Sequence, residues 1–98
     1  MKVVIDINVF LHERVRLVKK VMKNDQNSNE LLWKIQLLYF RQEWEQLCRI
    51  DNYPHECRRG SHLHIRDRVI WENLTLEQAE SRIMEIGKKM LKEYGVAL

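Results

Sequence analysis

The chain begins with the stretch KVVIDINVFLH over residues 2–12, and every odd-numbered position from Val3 to Leu11 is apolar. Polar residues, among them Asp6 and Asn8, stand between these positions. A period of two is typical of a β-strand, because successive side chains of a strand point to opposite faces of the sheet. We therefore predict a strand over residues 2–11, and this prediction makes a sheet the basis of the fold.

The same alternation continues along the chain. It predicts a strand over about 14–22 that pairs with the first as a hairpin, although a short helix competes there because no glycine or proline marks a tight turn. Further strands are predicted over residues 31–39, 44–51, 63–66 and 68–72. Residues 24–29 and the proline-containing residues 52–60 have the composition of loops.

The fourth predicted strand, residues 44–51, has two distinct sides. Strict alternation assigns Trp44, Cys48 and Ile50 to one side, and Arg49 and Asp51 to the other. The first side is expected to face the core, with Cys48 as a small buried residue.

The last segment has the periodicity of a helix. Thr75 and Gln78 have the spacing of a capping box, and apolar residues follow at steps of three and four. Gly95 stands where a glycine commonly ends a helix. A helix over about 76–94 completes an α+β fold, in which one C-terminal helix covers an antiparallel sheet of five to six strands. Residues 1–98 are expected to form a single domain.

The composition argues against a disordered, membrane-associated or secreted protein. Hydrophobic residues make up 45% of the 98 residues, and eight residues are aromatic, which excludes a disordered chain. No apolar run approaches the ~20 residues that cross a bilayer, so no membrane association is expected. Lys2 opens a strand-like pattern rather than a secretory signal. The two cysteines make no disulfide framework, and a reducing, cytoplasmic location is expected.

The positive charge is concentrated near the start of the chain. Residues 1–23 contain six basic and two acidic side chains, while the whole chain has a net charge of +3. Such a basic stripe suits phosphate contact, as in RNA binding. More often, such charges belong to a solvated strand face or protect a sheet edge.

The most informative segment is residues 51–66, which holds three of the four histidines. If residues 62–66 are extended, His62, His64 and Arg66 share one face, which we expect to face water. Asp51 and His55, from the preceding strand end and loop, are expected to fold back onto this face.

Three interpretations of this cluster remain open. Imidazole groups exchange protons near neutral pH, so the histidines suit acid–base cleavage of a phosphodiester. The pair His62 and His64, with His55, Cys57 or Asp51, offers enough donors for zinc, although the spacing is not that of a common zinc motif. A structural role is the third interpretation.

The residues RIDNYPH (49–55) followed by HLH (62–64) resemble the TumE-type toxins of TumE/TumA toxin–antitoxin pairs. The family pattern is similar: Arg-x-Asp-Asn-x-Pro-His, a short variable loop, His-x-His and a final helix. The resemblance implies a toxin-like protein encoded beside a helix-turn-helix antitoxin. The matched positions are Asp51, Asn52, His55, His62 and His64. Ribonuclease activity is expected for a small toxin of this shape by analogy.

The leading hypothesis is a metal-independent endoribonuclease. Its expected catalytic residues are His55, His62, His64 and Asp51, and its expected RNA-binding residues are Asn52, Arg58, Arg59 and Arg66. The alternative is a non-catalytic binding module with a His/Cys/Asp zinc site or a basic surface for a partner. A third possibility is an assembly protein, such as a homodimer, that pairs through residues 14–22 as an edge strand.

Overall fold

The computed structural model describes residues 2–23, 30–54 and 60–98. Within these residues it has six strands in one antiparallel sheet, arranged in sequence order, and one helix. The elements are β1 (Lys2–His12), β2 (Val15–Lys23), β3 (Leu31–Phe40), β4 (Trp44–Asp51), β5 (His62–Ile65), β6 (Arg68–Trp71) and α1 (Leu76–Glu93). The predicted α+β fold is confirmed. The predicted loop at residues 24–29 lies outside the described residues.

The first hairpin forms without glycine or proline. His12 Nδ1 accepts a hydrogen bond from the Arg14 backbone N–H at 3.2 Å, and the Arg14 carbonyl accepts one from Phe40 N–H at 2.8 Å. These contacts satisfy backbone groups of the turn. Residues of β2 pair with β1 on one side and with β3 on the other, so this segment is a strand and not the competing short helix. Because β2 lies between β1 and β3, the prediction that residues 14–22 form a sheet edge is wrong. The edges are β1 and β6.

The helix begins at the predicted capping box. The Thr75 side chain accepts a hydrogen bond from Gln78 N–H, and the Gln78 side chain accepts one from Thr75 N–H. Such a cap stabilises a helix by about 1 kcal/mol. The chain leaves the helix through Gly95, whose φ of 74° is readily adopted only by glycine.

The helix packs on the centre of the sheet. Its buried residues join a core with buried side chains of β3, β4 and β5, among them Ile35, Ile50 and Leu63. Gly87 permits the closest approach, because a Cβ at that position would collide with the Leu37 side chain. Burial in this core raises the pKa of Cys48 to about 12, so its thiol is neutral at physiological pH. Among the described residues, no helix combines the length and apolarity needed to cross a membrane.

An irregularity in β4 changes the side on which Trp44 lies. Leu37 pairs with Cys48 but Leu38 pairs with Gln46, so Leu47 is an extra residue in the ladder. One extra residue reverses the alternation. The prediction that Trp44 shares a side with Cys48 is therefore wrong. Trp44 instead packs against Phe10 and Phe40, with ring centroids 5.9 and 5.4 Å away.

The sheet face opposite the helix, hereafter the second face, carries the polar residues at the paired ends of β4 and β5. On β4, Ile50 points into the core, so Arg49 and Asp51 on either side of it point to the second face. On β5, Leu63 is in the core, and His62 and His64 take the second face. The fold thus places the polar residues of two neighbouring strands on the same surface.

Candidate functional site

The candidate site lies where the end of β4 pairs with β5. The antiparallel register sets Asp51 opposite His62 and Arg49 opposite His64. Directly opposed side chains in such a ladder have Cβ atoms about 4.5–5.5 Å apart, so these four side chains meet on the second face. This register follows from matching the core residues, because Ile50 pairs with Leu63 on the helix side.

The Asp51 carboxylate is the centre of the cluster. Its Oδ1 lies 3.0 Å from His62 Nε2 and accepts a hydrogen bond from Tyr53 N–H at 3.1 Å. Its Oδ2 lies 3.0 Å from Arg49 Nε and 3.5 Å from His64 Nε2. The contacts to His62 Nε2 and Arg49 Nε are close but misaligned for hydrogen bonding, so we treat them as electrostatic. Asp51 is only 1% exposed, and a charge so deeply buried needs a partner such as Arg49.

Arg49 also contacts the second histidine. Its Nη2 lies 3.1 Å from His64 Nε2. A guanidinium group has only donors, so a hydrogen bond between these atoms requires His64 Nε2 to be the acceptor and places the ring proton on Nδ1. Conversely, His62 Nε2 faces a carboxylate, which favours a proton on that nitrogen. The contacts thus favour opposite tautomers for the two histidines, because His64 Nε2 lies nearer to Arg49 Nη2 (3.1 Å) than to Asp51 Oδ2 (3.5 Å).

The two histidines also differ in exposure. His62 is 0% exposed and packs between the rings of His64 and Trp71, each with its centroid 4.7 Å away. The His64 side chain is 16% exposed, and that of Arg49 is 31% exposed. The expectation that all these imidazoles face water is wrong for His62, because Trp71 and His64 pack against it. The solvent-accessible part of the cluster is His64 together with Arg49.

Asn52 lies next to the cluster but contacts the backbone of β3. Its Oδ1 accepts a hydrogen bond from Trp33 N–H at 2.7 Å, and its Nδ2 donates one to the Leu31 carbonyl at 2.9 Å. These bonds extend the β3–β4 ladder beyond the end of β4. Asn52 therefore has a structural role in positioning Asp51, and its predicted contact with substrate stays a prediction.

Tyr53 follows at the margin of the site. Burial is the main cause that raises the pKa of its phenol, with a further contribution from the Asp51 charge and an opposing one from Arg49. The phenol is therefore neutral at physiological pH and is available as a hydrogen-bond donor.

The structure places Arg66 apart from the cluster. Strand β5 ends at Ile65, and Arg66 lies in the following turn with a φ of 53°. Its side chain is 3.3 Å from Glu93 at the end of the helix, and both groups are well exposed. The prediction that Arg66 shares a face with His62 and His64 is wrong, because strand alternation does not extend into the turn. Its predicted role in binding RNA is untested.

Three other predicted site residues, His55, Arg58 and Arg59, lie outside the described residues, as does Cys57. Conversely, sequence reasoning did not include Arg49 in the site. The sequence contained the information needed to include Arg49, because alternation places Arg49 and Asp51 on the same side of the fourth strand.

The cluster also has the donor set of a metal site. One ligand atom from each of Asp51, His62 and His64 can be chosen so that all three lie within 4.8 Å of one another. A carboxylate with two imidazoles suits zinc and other divalent transition metals. However, the Arg49 guanidinium already contacts both Asp51 and His64 as a cation. A metal bound by these residues would have to displace Arg49.

Comparisons of the chain with family models, with curated proteins and with solved structures find no match. Function therefore has to be argued from the site itself.

The role of Asp51 as the counter-charge of the cluster is testable by substitution. Asp51→Asn removes the charge that balances Arg49. It also places an amide NH₂ group close to the Arg49 guanidinium and the His62 ring nitrogen. We expect it to reduce the free energy of unfolding by about 2–4 kcal/mol, since one member of a largely buried ion pair is lost. Urea denaturation followed by tryptophan fluorescence measures the change.

The matched control for this substitution is Asp67→Asn, which removes the same charge at an exposed position in the β5–β6 turn. It is expected to change stability by no more than about 0.5 kcal/mol. Equal effects of the two substitutions would contradict the central position of Asp51.

Proposed function

We propose that this protein is a small toxin-like endoribonuclease that needs no metal. The single observation that supports this most is the arrangement of His64 and Arg49 around the buried Asp51 carboxylate. It combines a proton acceptor with a fixed positive charge, and both are accessible to a ligand on the second face. The resemblance of residues 49–55 and 62–64 to TumE-type toxins supports the same proposal.

The chemistry we propose is cleavage by the RNA's own 2′-hydroxyl. Arg49 turns from His64 to the phosphate, which frees the lone pair of His64 Nε2. His64 Nε2 then takes the proton from the 2′-hydroxyl as its oxygen attacks phosphorus, and the bond from phosphorus to the 5′-oxygen breaks. Arg49 neutralises charge on the phosphate oxygens. The departing 5′-oxygen takes a proton from a second acid, for which His55 is the candidate from the sequence. The products are a 2′,3′-cyclic phosphate and a free 5′-hydroxyl.

In this proposal His62 has a supporting role. It is fully buried, so it does not reach a polymeric substrate directly. Its Nε2 faces Asp51 Oδ1, while Asp51 Oδ2 faces Arg49 and His64. His62 thereby fixes the orientation of the carboxylate, and the carboxylate in turn holds Arg49 against His64. We regard Asp51 and His62 as positioning residues.

The charge of the second face supports an RNA substrate. Lys20 and Lys34 pair across β2 and β3, and Lys34 is opposite Asp51 on the next strand. Arg16, further along β2, lies with its guanidinium carbon 4.8 Å from the Trp44 ring centroid. A surface that combines basic and aromatic side chains suits single-stranded nucleic acid. We propose that these residues hold the RNA backbone beside His64.

The test is RNA cleavage by His64→Ala against the matched control His12→Ala. We expect His64→Ala to lower the cleavage rate of a mixed-sequence oligoribonucleotide by about 100-fold or more, the usual loss when a general base is removed. His12 lies on β1 rather than on β4 or β5, so His12→Ala should leave the rate unchanged. Expression of the wild-type protein or of His12→Ala should arrest growth, whereas expression of His64→Ala should not.

Two further measurements make the result decisive. An oligonucleotide with a single 2′-deoxy position should resist cleavage at that position, because the attacking hydroxyl is missing there. Thermal unfolding of His64→Ala should show a folded protein. Full activity of a folded His64→Ala protein would refute the proposed mechanism. A small helix-turn-helix protein encoded by the neighbouring gene would support the toxin–antitoxin role.

A second candidate function is metal binding without catalysis, and the close donor atoms of Asp51, His62 and His64 favour it. Elemental analysis and zinc titration of protein prepared without a histidine tag test this candidate. It predicts one zinc per chain, lost in His64→Ala and bound more tightly in Arg49→Gln, because the competing guanidinium is removed. Our main proposal predicts no stoichiometric zinc and full RNA cleavage in the presence of a chelator.

A further inference from the structure

The first strand has an unusually apolar exposed surface for an edge strand. Six of its apolar residues are between 37% and 65% exposed: Val3, Val4, Ile7, Val9, Phe10 and Leu11. They occupy both faces of the strand. The helix covers β3 and β4, and does not extend to β1. Exposed apolar patches of this kind commonly mark a protein interface.

The edge itself is also open to pairing. Strand β1 is 11 residues long, and Lys2 and Asp6 are its only charged residues. It contains neither proline nor glycine, and its register with β2 is regular from Ile5 to Phe10. Proteins usually protect such an edge with charges, proline or bulges. The two irregularities of β1, between Val3 and Ile5 and between Phe10 and His12, lie outside the regular central run. Among the described residues, no strand pairs with the outer side of β1, so this side suits addition of another strand.

We propose that β1 pairs antiparallel with β1 of a second copy of this chain, with Ile7 on the two-fold axis. The two sheets then join into one continuous sheet of twelve strands, and both helices lie on the same side of it. This inference does not depend on the ribonuclease proposal, because the cluster at β4 and β5 is three strands or more from this edge.

The amino-acid pattern of β1 favours this register. With Ile7 opposite Ile7 of the second copy, Ile5 faces Val9 and Asp6 faces Asn8, so apolar residues meet apolar ones and polar residues meet polar ones. A shift of one residue in either direction places Asp6 opposite Ile7 or Val9. Centring on Asp6 would set two carboxylates against each other, which is destabilising.

The charge of β1 argues against nucleic acid as the occupant. Lys2 and Asp6 cancel, whereas binding to phosphates depends on an excess of cations. A strand from an unrelated protein is another outcome of the test. Binding to such a strand would not need the sequence of β1 to be complementary to itself. A second copy accounts for both the apolar exposure and the position of Asp6 and Asn8.

The first experiment uses opposite charges at the two-fold axis. Sedimentation velocity should give the wild-type chain a mass twice its 12.0 kDa. Ile7→Lys and Ile7→Asp should each be monomeric, because like charges then face each other across the axis. An equimolar mixture of the two variants should restore the dimer. Val69→Lys, at an exposed position on the other edge strand, is the matched control and should stay dimeric.

A cross-linking experiment tests the register without adding charge. In a Cys57→Ser background, Ile7→Cys should form an intermolecular disulfide under mild oxidation, because directly opposed Cβ atoms lie within disulfide reach. Val69→Cys in the same background should not. A monomeric wild-type chain at about 100 µM, about a hundred times a Kd of 1 µM, would overturn the proposal. Cross-linking equal to that of Val69→Cys would also overturn it, and a strand from another protein would then be the better occupant.

Discussion

The arrangement of the candidate site depends on one buried carboxylate, that of Asp51. It is almost inaccessible to water, and it contacts the Arg49 guanidinium and both histidines of β5. A buried charge without compensation is costly, so Arg49 is held in place by the need to balance Asp51. Because Arg49 donates to His64 Nε2, the same constraint determines which nitrogen of His64 can accept a proton.

The fold brings these groups together by simple means. An antiparallel meander places β4 beside β5, and the core pair Ile50 and Leu63 fixes their register from the helix side. Once that register is fixed, Asp51 and His62 must be opposite each other on the other side of the sheet. The hydrophobic core on one face thereby determines the geometry of the polar cluster on the other face. The core and the cluster have no side chain in common.

Much of this architecture follows from local sequence patterns. Local patterns predicted all six strands, although a short helix competed at residues 14–22, and Thr75 with Gln78 located the start of the helix. Alternation failed where the backbone departs from a regular ladder: the extra residue Leu47 moved Trp44 to the other face, and the turn at Arg66 took it away from the histidines. The burial of His62 could not be predicted either, because it depends on Trp71, whose contact arises only when β6 pairs with β5.

The arrangement of Arg49 and the two histidines around Asp51 is tested by the tautomeric state of His62 and His64. Two-dimensional ¹⁵N–¹H NMR of the imidazole rings, at a pH where both are neutral, distinguishes a proton on Nδ1 from one on Nε2. We expect the Nδ1–H form for His64 and the Nε2–H form for His62. In Arg49→Gln, we expect His64 to populate both tautomers. An Nε2–H form of His64 in the wild-type protein would contradict the arrangement of Asp51, Arg49 and His64 described above.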